Sequence, residues 1–238
     1  MAIAYDNTGT GSGTTTCTFN HVLGFGAGQN RLVCVVVTIF GNPGTVTPSV
    51  TFNTVAMTLV RQDSTSDGLE NTSIFYMLDA SLPAGAGTYS VVVSSSGSGS
   101  QNVAAVSMSM TGVKQVAPEA QAGAGSAGSS GTTISAVITT LTNNAWIIAS
   151  GGGSGATTSV AWTDSDGQIV GRGTATSGGG ASLTASGATD PTAVAGAETN
   201  TVTFGVALNR FSISLAAWPP FSGGGGTDDD GTFLGAEF

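Results

Sequence analysis

Positive charge is nearly absent from this 238-residue chain: five Lys and Arg residues stand against 14 Asp and Glu, and Lys114 is the only lysine. At a net charge of −9 the surface carries no electrostatic footprint for a phosphate backbone, so direct nucleic-acid binding is not expected. Charge of either sign is sparse, at 8% of residues, and few ion pairs are available to hold the fold. No apolar run is long enough to span a bilayer as a helix, and no basic amphipathic segment is present, so membrane insertion is not expected either. Long helix-period stretches with caps are missing. The first residues, Met1-Ala-Ile-Ala-Tyr-Asp, lack the basic and apolar regions of a secretion signal, which points to synthesis and retention in a cytoplasm.

The side chains that carry chemistry are equally scarce. His21 is the only histidine, so a Ser-His-Asp apparatus has one candidate base, and no Gly-x-Ser-x-Gly elbow accompanies it. Glycosidase chemistry needs two carboxylates facing one another across a cleft. Asp63, Asp67, Glu70, Asp164 and Asp166 fall instead in segments where aspartate serves turns. The glycine runs lack the lysine and the strand-to-helix setting of phosphate loops. No enzymatic activity is expected. The two cysteines, Cys17 and Cys34, fall in the first two core strands; were these neighbours, a disulfide would be geometrically allowed, but two small buried apolar residues is the favoured reading.

What the chain does have is a hydrophobic share of 40% and 37 glycines, clustered between strand-like runs. Asn30 to Phe40, Asn-Arg-Leu-Val-Cys-Val-Val-Val-Thr-Ile-Phe, is the most apolar stretch and reads as a central strand buried on both faces from Arg31. Thr14–Leu23 alternates, with Cys17 and Phe19 on one face, after a Gly/Thr-rich lead-in. Ser49–Arg61 reads as two short strands about a turn at Asn53-Thr54, followed by a polar loop from Asp63 to Glu70. Further strands are expected at Ser73–Asp79, Thr88–Ser94, Val103–Thr111, Thr132–Thr140, Ala145–Ser150, Ser159–Thr163, Ile169–Thr174, Ala181–Ala185, Thr201–Val206 and Phe211–Trp218. Residues 119–131 read as a loop or crossover, and glycines 151–153 and 178–180 as breaks. The expected fold is all-β, a two-sheet antiparallel β-sandwich forming one domain over residues 1–221.

Pro219-Pro220 stops the last strand, because proline cannot donate to a ladder. Beyond it, residues 222–238 read as a flexible Gly/Asp-rich arm reaching about 20–25 Å by random-coil scaling. Its apolar residues Phe233, Leu234 and Phe238 suit docking on a partner surface. No cofactor is expected. Calcium is the one ion weighed, at Asp164-Ser-Asp166-Gly167 and at Asp228-Asp-Asp230-Gly231, where spaced carboxylates sit on flexible backbone without the full calcium-loop pattern. Turn chemistry and solubility account for both. Among the tryptophans, Trp146 and Trp218 fall in strand patterns, and Trp162 is the candidate for contact with a glycan.

The pattern from about Thr14 to Trp218 resembles a family of β-sandwich domains found in bacteriophage virion proteins and bacterial surface proteins. The matching pieces are Asn30-Arg-Leu-Val-Cys-Val-Val-Val, Val50-Thr-Phe-Asn-Thr-Val-Ala-Met-Thr-Leu-Val, Ile74-Phe-Tyr-Met-Leu, Gly87-Thr-Tyr-Ser-Val-Val-Val, Val106-Ser-Met-Ser-Met-Thr-Gly-Val, Asn144-Ala-Trp-Ile-Ile-Ala and Phe211–Trp218. These are core-strand patterns, and no catalytic residue comes with them. The resemblance implies a jelly-roll-like sandwich in a structural or adhesive role. The expectation is a non-enzymatic virion structural protein made in the host cytoplasm and displayed on the virion surface. It would be a capsid decoration, head spike or tail component, docked on other virion proteins and assembled as a symmetric homo-oligomer such as a trimer. The alternative is a carbohydrate-binding or adhesive module for cell-surface glycans.

Overall fold

A computed structural model describes residues 1–41, 48–96, 101–154, 159–177, 183–192 and 194–222. The first sheet contains β1 (Ala4–Thr14), β2 (Thr16–Leu23), β3 (Leu32–Phe40), β4 (Pro48–Phe52), β5 (Val55–Ala56), β6 (Thr58–Ser64), β7 (Glu70–Leu78), β8 (Gly87–Ser95) and β9 (Asn102–Thr111). Its order is β5-β4-β8-β2-β1-β9-β3-β7-β6. The second sheet contains β10 (Ala120–Thr139), β11 (Trp146–Ser154), β12 (Val160–Asp164), β13 (Val170–Ser177), β14 (Leu183–Pro191) and β15 (Ala197–Trp218). Its order is β10-β15-β11-β14-β13, with β12 on the first half of β15. The chain is all-β and its two sheets are antiparallel, as the alternating pattern predicts. Among the described residues no helix is long and apolar enough to cross a membrane.

Side chains alternate across a strand, and the apolar β3 therefore needs cover on both faces. Val33, Val35, Val37 and Ile39 enter one core, while Leu32, Cys34 and Val36 enter another. The first core also takes Phe19 of β2, Phe52 of β4 and Val91 and Val93 of β8. The nine-stranded sheet thus curls until β4, β8 and β2 lie over β9, β3 and β7. The second core lies between the sheets, where Met108 and Val106 of β9 meet Ile148 of β11 and Leu183 of β14. A third is enclosed by the second sheet itself. There β10 and β15 pair along nearly their whole length and bend together, at register shifts between Ala127 and Thr133. The bend brings Val202 and Phe204 over Ile213 and Leu215 of the same strand. Each such buried side chain contributes about 1.5–3 kcal/mol.

Cys17 lies in the first core and Cys34 in the second, both as free buried thiols. Strands β1 and β9 separate β2 from β3, so no bridge joins them. The turn at Asn53-Thr54 has positive φ at both residues, 46° and 71°, as a tight two-residue hairpin requires.

Five sequence expectations need correction. The Gly/Thr-rich lead-in is a strand, β1, and residues 120–131 are the first half of β10 rather than a loop. Gly151–Gly153 do not interrupt the chain but lie inside β11; residues 178–180 fall outside the described residues. Thr201–Val206 and Phe211–Trp218 are two halves of the single strand β15. The segment from Asp63 to Glu70 is a loop only in its middle, and Glu70 opens β7 fully buried.

Glu70 belongs to a polar seam between the sheets. Its carboxylate accepts hydrogen bonds from Ser212 Oγ at 2.9 Å and from the Ser154 N–H at 3.0 Å, both from the second sheet. Thr72 and Ser150 hydroxyls meet at 2.7 Å, and Ser214 Oγ donates to Asp63 at 2.6 Å. Hydrogen bonds thus join the sheets where apolar contact gives out.

Candidate functional site

Asp164 ends β12 and lies opposite Asn200 of β15. The chain then turns sharply through Asp166-Gly167, and Gly167 takes φ +79°, a backbone conformation that glycine adopts freely. Asp164 caps this turn: Oδ1 accepts from the Gly167 N–H at 2.6 Å, and Oδ2 from Gln168 at 2.8 Å and Ile169 at 2.5 Å. Burial pushes its carboxyl up, but these three N–H groups outweigh it and hold the pKa below the usual carboxylate value.

Asp190 arrives from the end of β14, where Pro191 halts the strand. It is fully buried. Asn200 Nδ2 donates to its Oδ2 at 2.9 Å, while its Oδ1 has no hydrogen-bond partner. One carboxylate oxygen each from Asp164, Asp166 and Asp190 lie within 4.8 Å of one another. Burial pushes the Asp190 carboxyl up to about 7; the Asn200 bond opposes this, and the charges of Asp164, Asp166 and Glu198 add to it. Asp166 is exposed, yet burial of its carboxyl and contact with Asp164 raise its pKa as well. Glu198 stands behind the turn and accepts from the Ser165 N–H at 2.8 Å and from its hydroxyl at 2.5 Å.

The structure brings the sequence candidates Asp164 and Asp166 together and adds Asp190, Glu198 and Asn200. No local pattern in the sequence joins residue 190 to residue 164; only the pairing of β12 and β11 with their neighbours does. Trp162 is half-buried two residues before Asp164. Its Nε1 donates to Ser186 Oγ at 3.0 Å, and its ring lies against Gly151. Its indole N–H is thus already engaged within the second sheet. Asp228, Asp230, Phe233, Leu234 and Phe238 lie outside the described residues.

Two other places hold polar groups or space. His21 Nδ1 and Ser107 Oγ approach to 2.7 Å, but His21 is fully buried, and burial lowers its pKa to about 4. The imidazole is a neutral core group against Phe52. At the meeting of the first and last described segments there is a cavity of about 650 Å³, lined by Ile3, Lys114, Thr142, Trp146, Pro219 and Phe221 among others. The Met1 amino group donates to Phe221 O at 2.7 Å, and the Phe221 N–H donates to Gly112 O at 2.7 Å. No protein-family model matches the chain, and no curated protein matches it.

Proposed function

We propose that this chain is a non-enzymatic structural protein of a bacteriophage virion, a capsid decoration, head spike or tail component with a jelly-roll-like body. The observation that carries the reading is the cavity of about 650 Å³ beside Pro219 and Phe221. Ser222, the one described residue of the 222–238 segment, lines this recessed, partly apolar surface, which supports a reading in which a neighbouring virion protein docks there. The resemblance of the core strands supports the same role. So does an acidic, lysine-poor composition with a Ser/Thr/Gly-rich surface, which favours solubility over nucleic-acid contact.

A density gradient of the native source lysate tests this. Co-banding of the protein with nucleic-acid-containing particles is the expected result, and a chain lacking residues 222–238 should fold but fail to co-band. Recovery in soluble fractions alone would overturn the virion reading and direct the search to glycans, with Trp162→Ala as the first variant. Normal incorporation of the shortened chain would remove the docking role of the arm.

A further inference from the structure

We propose that Asp164, Asp166 and Asp190 form a calcium site that fastens the β12–β13 turn to the end of β14. Turn chemistry explains Asp164, whose oxygens already accept three backbone N–H groups. It does not explain Asp190. That residue is drawn from a strand end 26 positions further along the chain, and it is fully buried with Oδ1 unpaired. A buried carboxylate oxygen without a donor is costly, and such groups are met by a proton, an ion-pair partner or a bound cation. Asn200, which orients Asp190, leaves its own buried Oδ1 unpaired as well.

No basic residue answers this charge among the described ion pairs, which are Arg31–Asp79, Arg61–Asp63 and Arg210–Asp67. Arg172 lies over the Tyr5 ring and donates to Thr189 at 2.7 Å. Four acids, Asp164, Asp166, Asp190 and Glu198, therefore share one locale without a counter-charge. A carboxylate-only set, with no His or Cys, suits a hard cation. Calcium takes six to eight oxygens at about 2.3–2.6 Å, so opposed ligand oxygens lie up to about 5 Å apart. The three carboxylate oxygens here fall inside that span, at 4.8 Å or less. Asp166 faces solvent, leaving the remaining positions to water. Calcium is favoured over magnesium because it tolerates the irregular geometry of a turn-borne site, whereas magnesium demands a near-ideal octahedron. Bound there, it would join β12, β14 and the start of β15, which enclose the third core.

The test is calcium titration of the full chain after chelation and dialysis, followed by calorimetry and by thermal melting. Terbium luminescence excited through Trp162 gives a local readout. The expected result is a saturable rise in melting temperature with calcium, a smaller one with magnesium, and terbium emission that calcium displaces. Asp166→Asn, at an exposed position that leaves folding intact, should weaken calcium binding at least tenfold, and Asp190→Asn should do the same. No saturable calcium effect would overturn the site. Wild-type affinity in Asp166→Asn would overturn it too, as would calcium binding lost only in an Asp228→Asn/Asp230→Asn double variant.

Discussion

At the scale of single residues, the most consequential side chain outside the acidic turn is Glu70. Burial pushes its carboxyl up to about 7, against hydrogen bonds from Ser212 and Ser154 and the charge on Arg210, which pull it down. Between the ordinary value of 4.5 and this raised one, the folded chain holds a proton that the unfolded chain has released. The stabilisation is complete below pH 4.5 and is lost as pH rises through 7. Asp190 acts in the same direction, while His21, depressed to about 4, acts in the opposite one and lowers stability as pH falls below 6.5. Comparison of wild type with Glu70→Gln isolates one group. Urea melts at pH 5, 6 and 8 should show the wild type losing on the order of 1–3 kcal/mol relative to the variant as pH rises. A pH-independent difference would refute the assignment. The sequence placed Glu70 in a polar loop because its neighbours Asp67 and Gly68 are turn residues. Its burial comes from Ser212 and Ser154, more than 80 positions away, and no local pattern carries that information.

Among the elements, the strands read most readily were those whose burial shows as large apolar side chains. β3 and β7 are legible because Val, Ile and Phe fill their faces. β1 and the first half of β10 look like loops in sequence because one face of each carries almost no side chain. A Cβ on Gly11 would run into the Phe19 ring, and one on Gly125 into the Ser64 backbone. Glycine there marks the close approach of another strand rather than a turn. Propensity alone predicts that Gly125→Ala stabilises β10, since glycine weakens a strand interior by roughly 0.5–1 kcal/mol. The packing against β6 predicts the reverse, a loss of about 1–3 kcal/mol from overpacking against backbone that cannot move aside. Chemical denaturation of the single variant decides between them, and a stability gain would mean that β10 and β6 do not approach so closely in solution. The same reasoning explains Gly152 and Gly153, whose missing side chains leave room for Thr38 and Leu208.

For the molecule as a whole, several sheet edges among the described residues are short or covered, and this was only partly legible in the sequence. β5 ends the first sheet with two residues, and β6 at the other end is covered by β10. In the second sheet, β13 lies against β1, with Gly173 facing Thr10 and Val106. Short or covered edges suppress pairing with further chains. The segment after Trp218 is tied to the body. Lys114 N–H donates to Pro219 O at 3.0 Å, Phe221 N–H to Gly112 O at 2.7 Å, and the Met1 amino group to Phe221 O at 2.7 Å. Each bond has a net worth of about 0.5–1.5 kcal/mol. A chain shortened after Trp218 should therefore be less stable than one shortened after Ser222 by about 1.5–4.5 kcal/mol. Parallel denaturant melts of the two truncations measure this difference. Equal stability would mean that residues 219–222 merely rest on the body.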